Sequence, residues 1–172
     1  MVKYSVSQFY ITDENLAKFG RWVKKPMDCV INALEIIGIL EKNSADLMRI
    51  AVGDVGLQIY QIEEIFKYMY PNYNWQFYRY TNIQTLENFC IQELQPSRVI
   101  FCGYNMKGFK HVFLIGKTNN NQILYIDPQP NTLCDLQQAS CFSYIQNAEE
   151  YYILQGTTTA QQNLQIQAQM QL

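Results

Sequence analysis

Histidine is almost missing from this chain: His111 is the one example in 172 residues. A metal site built on histidine and cysteine therefore has little to draw on. The cysteines, Cys29, Cys90, Cys102, Cys134 and Cys141, are odd in number, irregularly spaced and form no C-x-x-C pair. That pattern predicts reduced thiols in a cytosol-like compartment rather than a disulfide framework. Charge is scarce too, at 16% of residues with a net of -2, and no basic run interrupts it. Such a balance gives no electrostatic footprint for nucleic acid or an anionic membrane surface. Asn, Gln and Tyr take the vacant places, a bias in keeping with an AT-rich genome such as that of a large DNA virus or a protist. Long apolar runs are also lacking. The opening MVKYSVSQFYITDEN has no apolar signal-peptide core, and Val30 to Leu40 is broken by Asn32 and Glu35 and too short to span a bilayer. The expectation is a soluble cytoplasmic protein with no nucleic-acid or membrane partner, no metal and no cofactor.

What is present is enough apolar matter for a core. Hydrophobic residues make up 48% and aromatics 14%, which excludes general disorder. The length suits one domain, placed at residues 1–155. From Gly156 the sequence turns into TTTAQQNLQIQAQMQL, a Gln-rich stretch with no core-forming period, read as a tail over 156–172. In an assembly, a protein partner would be what holds such a tail.

Along the chain, Tyr4 to Ile11 suits a short strand, followed by a turn at Thr12 to Glu14 and a basic lead-in from Gly20 to Pro26. Asp28 to Leu40 is the clearest helix: Asp28 suits an N-cap, and Val30, Ala33, Leu34 and Ile37 fall on one face. Its apolar content nearly all round predicts a central, buried helix. A short helix from Ser44 to Ile50 and a longer one from Gly56 to Tyr70 follow, the latter ended by Pro71. Trp75 to Tyr80 alternates as a strand. Thr81 or Asn82 caps a helix running to Leu94, Arg98 to Tyr104 reads as a buried strand, and Tyr151 to Leu154 as the last one. Helices first and antiparallel strands after predict an α+β domain with one central helix packed on a sheet.

The most informative stretch is GFKHVFLIGKTNNNQILYIDPQ, Gly108 to Gln129. It reads as two strands, Lys110 to Lys117 and Gln122 to Asp127, turning at Asn119 to Asn121, where Asn tolerates left-handed backbone angles. Antiparallel pairing puts His111, near the start of one strand, beside Asp127, at the end of the other. Cys29 supplies the third member. A thiol in the first turn of a helix sits at the positive end of its dipole, which favours thiolate. A histidine to share its proton and a carboxylate to orient the imidazole complete a nucleophilic triad.

Cysteine opening the central helix (PMDCVINALEIIG), histidine opening a strand (GFKHVFLIG) and aspartate closing the next (LYIDPQ) resemble the papain-like cysteine peptidase superfamily. The likeness is to its compact branches, the C39-like peptidases and papain-fold toxin or effector domains. It implies a papain-like fold, Cys29 as nucleophile, His111 as general base and acid, and Asp127 as orienting residue, acting on a protein or peptide substrate. The family usually places a Gln a few residues before the cysteine to complete the oxyanion hole. Here Trp22 to Met27 hold neither Gln nor Asn, which leaves the backbone N–H of Cys29, with Gln8 or a lysine approaching from elsewhere. Three functions follow: a peptidase or isopeptidase-like thiol hydrolase; a protein glutamine deamidase or transglutaminase using the same triad; or an inactive papain-fold component of a large assembly such as a virion.

Overall fold

The computed structural model describes residues 9–10, 28–52, 57–106, 109–128 and 132–158, with 167 and 170 besides. Its elements in chain order are β1 (Phe9–Tyr10), α1 (Cys29–Ile36), α2 (Lys42–Val52), α3 (Ile59–Met69), β2 (Tyr73–Tyr80), α4 (Ile83–Glu93), β3 (Arg98–Met106), β4 (Phe109–Lys117), β5 (Ile123–Asp127), β6 (Thr132–Asp135), α5 (Leu136–Ala139), α6 (Ser143–Gln146) and β7 (Glu150–Thr158). The strands form one sheet in the order β2-β7-β3-β4-β5-β6, with β1 pairing on β3. Every pairing is antiparallel. The molecule is thus a mixed α+β fold, as the order of elements suggests.

The arrangement of layers differs from the expected single helix on a sheet. Side chains alternate along the central strands, and both sets are apolar, so both faces need a cover. Val99, Phe101, Val112, Leu114, Ile126 and Leu154 pack with α1 and α3, through residues such as Leu34, Ile62 and Phe66. The intervening Ile100, Cys102, Phe113, Ile115, Tyr125 and Ile153 pack with Leu86 and Cys90 of α4, with Leu94 just after it, and with Leu136, Ala139 and Ile145. Helices therefore cover the sheet on both sides.

Helix α1 is shorter than its periodicity predicts. Gly38 takes a left-handed φ of 81°, and the chain closes with Ile39 N–H to Leu34 O at 3.0 Å and Gly38 N–H to Glu35 O at 3.2 Å. This pair of bonds is a Schellman stop. All of α1 after Cys29 is buried, including the polar Asn32 and Glu35. Helix α2 starts ahead of Ser44, which lies inside it. Asn82 caps α4 as expected, accepting from the Gln84 N–H at 2.7 Å. At the sheet edge Tyr70 and Tyr73 ring Trp75, while Tyr68 is exposed.

The last strand is longer than Tyr151 to Leu154. It continues to Thr158 and pairs along the whole length of β2, so the sheet extends past residue 155. Strand β6 and the two short helices carry no strong sequence period and were not expected. The turn at 12–14, the lead-in at 20–26 and most of the Gln-rich tail lie outside the described residues. Among the described residues, no helix is long and apolar enough to cross a membrane.

Candidate active site

The hairpin forms as the Asn-rich turn requires. Asn121 has a φ of 65°, and Thr118 N–H donates to Gln122 O at 2.9 Å. Strands β4 and β5 pair from Lys117 opposite Ile123 to Leu114 opposite Ile126. That register, carried one step further, sets Asp127 opposite Phe113 and makes His111 its diagonal neighbour on the same face. Diagonal neighbours lie about 7–8 Å apart at the backbone, within reach of a long side chain. Beyond Leu114, β4 continues on β3, with His111 opposite Tyr104, and β5 continues on β6, with Asp127 opposite Thr132.

At this open end His111 Nε2 meets Asp127 Oδ2 at 2.6 Å, with both side chains buried. Cys29 is a second side chain coupled to the imidazole, acting with Asp127 to raise its pKa. Cys29 is the first residue of α1 and is half-buried at the fringe of the apolar cluster under that helix. Cys90 and Cys102, by contrast, are sealed in the core, and burial raises both thiols, Cys90 to about 12. The structure brings together Cys29, His111 and Asp127, residues far apart in sequence.

Burial alone would push the imidazole pKa down. Hydrogen bonds to Asp127 and Cys29, and their negative charge, outweigh it and raise His111 to about 9. The ring is therefore held as a cation through neutral pH. Pro128, next after Asp127, is buried. Gln129 lies outside the described residues, as do Gln8 and Trp22 to Met27. The N–H of Cys29 belongs to the first turn of α1, whose amides have no partner within the helix.

Two sets of neighbours were not anticipated from sequence. The first is aromatic. Tyr125, fully buried, donates its hydroxyl to Asp127 Oδ2 at 2.7 Å. Tyr104 packs its ring 5.4 Å from His111 and 6.1 Å from Tyr144, centroid to centroid. Burial first, then the charge of Asp127, raises the phenols of Tyr104 and Tyr125. The second set lies behind α1. Asp28 holds the N-cap position but makes no capping hydrogen bond with its side chain. It is buried facing Arg49 of α2, whose guanidinium also bonds Asn32 Oδ1 at 2.6 Å, Glu35 Oε1 at 3.2 Å and Asp46 Oδ1 at 2.8 Å. The only advance signals were a polar pair inside an apolar helix and a tyrosine two residues before the aspartate.

Among the described residues no cluster of three or more His, Cys, Asp or Glu is arranged to hold a metal ion. Comparison with protein-family models and with curated protein sequences gave no match. The geometry therefore has to speak for the function.

Proposed function

We propose that this chain is a thiol hydrolase of papain-like fold that cleaves a peptide or isopeptide bond with Cys29, His111 and Asp127. The observation that carries this reading is one buried imidazole bonded to a carboxylate at 2.6 Å and coupled to the thiol at the start of α1, the two together raising its pKa. A structural histidine needs neither a helix-terminal sulfur nor a basicity raised this far.

In this reading the Cys29 sulfur, its proton resting on His111, attacks the substrate carbonyl carbon. The oxyanion that develops is met by the backbone N–H of Cys29 at the helix N-terminus. His111 then gives its proton to the departing amine, leaving a thioester on Cys29. A water, deprotonated by His111, attacks the thioester; an acid is released and the sulfur recovers its starting state. Asp127 fixes the ring so that one nitrogen faces the sulfur throughout, and stabilises the imidazolium.

The reading is tested with a thiol alkylator and a peptide library. Cys29 should be carboxymethylated ahead of the other four cysteines, and His111→Ala should abolish that preference. Library peptides should be cut by the native chain and not by Cys29→Ala. Equal labelling of native and His111→Ala proteins, with no peptide cut, would sink the proposal.

A further inference from the structure

We propose that Tyr125 is a positioning residue of this site, acting on His111 through the carboxylate of Asp127 that the two share. The inference rests on the reading of Cys29, His111 and Asp127 given above. Tyr125 and Asp127 stand two apart on β5, so their side chains leave the same face of the sheet. The Tyr125 hydroxyl and His111 Nε2 converge on a single oxygen, Asp127 Oδ2, at 2.7 and 2.6 Å. Both Tyr125 and Asp127 are completely buried. The two donors thus share one buried oxygen and divide its charge between them.

The consequence is a tuned base. Burial, reinforced by the neighbouring carboxylate, keeps the Tyr125 phenol protonated across the working range, so its donation is permanent. Each donor on Oδ2 draws density from it and weakens its hold on the other. Tyr125 therefore keeps His111 less basic than Asp127 alone would make it. An imidazolium that held its proton harder would be slower to pass it to a leaving amine. Among the described residues, the groups facing this cluster include Cys29 from α1, Tyr104 from β3 and Asp127 from β5 around His111, with Tyr144 of α6 on the side of Asp127 and Tyr125.

The test uses the fact that the chain has one histidine. Its ring proton signals can be followed by NMR against pH with no ambiguity of assignment. The native midpoint should lie at about 9. Tyr125→Phe keeps the ring that packs 4.9 Å from Phe113 and removes only the hydroxyl. The histidine ionisation constant should then fall by roughly threefold, a fraction of what one charge-assisted hydrogen bond carries. In an Asp127→Asn background the same tyrosine change should leave the midpoint alone. If Tyr125→Phe does not fold, a more acidic difluorotyrosine placed at position 125 keeps the ring and donates more strongly. It should move the midpoint the other way. A midpoint unchanged, or lowered, by Tyr125→Phe overturns the proposal, as does one unmoved by the fluorinated residue. The titration needs no substrate. Failure of Tyr125 with alkylation of Cys29 still dependent on His111 would remove this inference and leave the hydrolase reading standing.

Discussion

The Arg49 guanidinium lies 3.7 Å, Nε to Oδ2, from the carboxylate of Asp28, the residue immediately before Cys29. One cation from α2 thereby meets Asp28, Asn32 and Glu35 along the buried side of α1. The cluster ties the start of the cysteine helix to a second helix through charge rather than through packing.

Removing Arg49 should leave buried carboxylates uncompensated. Arg49→Met is expected to cost about 3–5 kcal/mol, the usual penalty for stripping one partner from a buried ion pair. Urea denaturation followed by circular dichroism measures this. A loss below about 1 kcal/mol would show that the cluster is solvated or already neutral.

The raised histidine gives stability a definite pH slope. Burial depresses the imidazole pKa, but the bonds to Asp127 and Cys29 prevail and carry it to about 9, above the ordinary 6.5. The folded state thus binds the proton more tightly than the unfolded chain does. Its contribution is complete below about pH 6.5 and is lost as pH rises through about 9. Urea midpoints of the native chain, less those of His111→Asn, should decline over that window. A difference that is flat or rises would contradict the arrangement.

Asp127→Asn keeps the shape of the orienting group and removes its charge. The histidine midpoint should drop well below about 9, and alkylation of Cys29 near neutral pH should slow by roughly a hundredfold. Stopped assays with iodoacetamide give the rate. An unaltered rate would mean that the carboxylate does not support the imidazole.

Gly156 has a packing reason to stay glycine. It pairs with Trp75 across β2 and β7, and a Cβ placed on it would come within 2.9 Å of the indole ring. Trp75 is buried and held by its Nε1–H donating to Tyr70 O at 3.1 Å, so it has little room to retreat. Gly156→Ala should therefore destabilise by about 1–3 kcal/mol. A thermal melt that matches the native one would show the ring can move aside.

The parts of the fold legible in sequence are those fixed over a few residues. The hairpin is written in three consecutive asparagines between alternating apolar runs, and α4 in the cap at Asn82. The helix that carries Cys29 was legible at its start and misjudged at its end, because its apolar period runs on through Gly38 while the backbone turns there. The candidate site divides in the same way. Cys29, His111 and Asp127 can be found because a helix start and two strand ends dictate their places. Arg49 and Tyr125 cannot: an arginine on a polar helix reads as a solvated one, and a tyrosine in a strand reads as core. Only the long-range packing of α2 on α1, and the two-residue step from Tyr125 to Asp127 in a buried strand, turn them toward the site. The covering of both sheet faces is also a property of the assembled sheet, which no single segment shows.

Of the described strands β7 is made last, and it lies between β2 and β3, so the order of synthesis matters. Until about residue 150 has left the ribosome, β2 has no neighbour on which to pair and β3 lacks one edge. A nascent chain that already contains Cys29, His111 and Asp127 still presents two open strand edges, which are templates for association with other chains. Closure waits for a strand paired across long sequence separations, a slow step in folding. A messenger truncated before that strand would yield a chain with every residue of the site and a sheet left in two pieces.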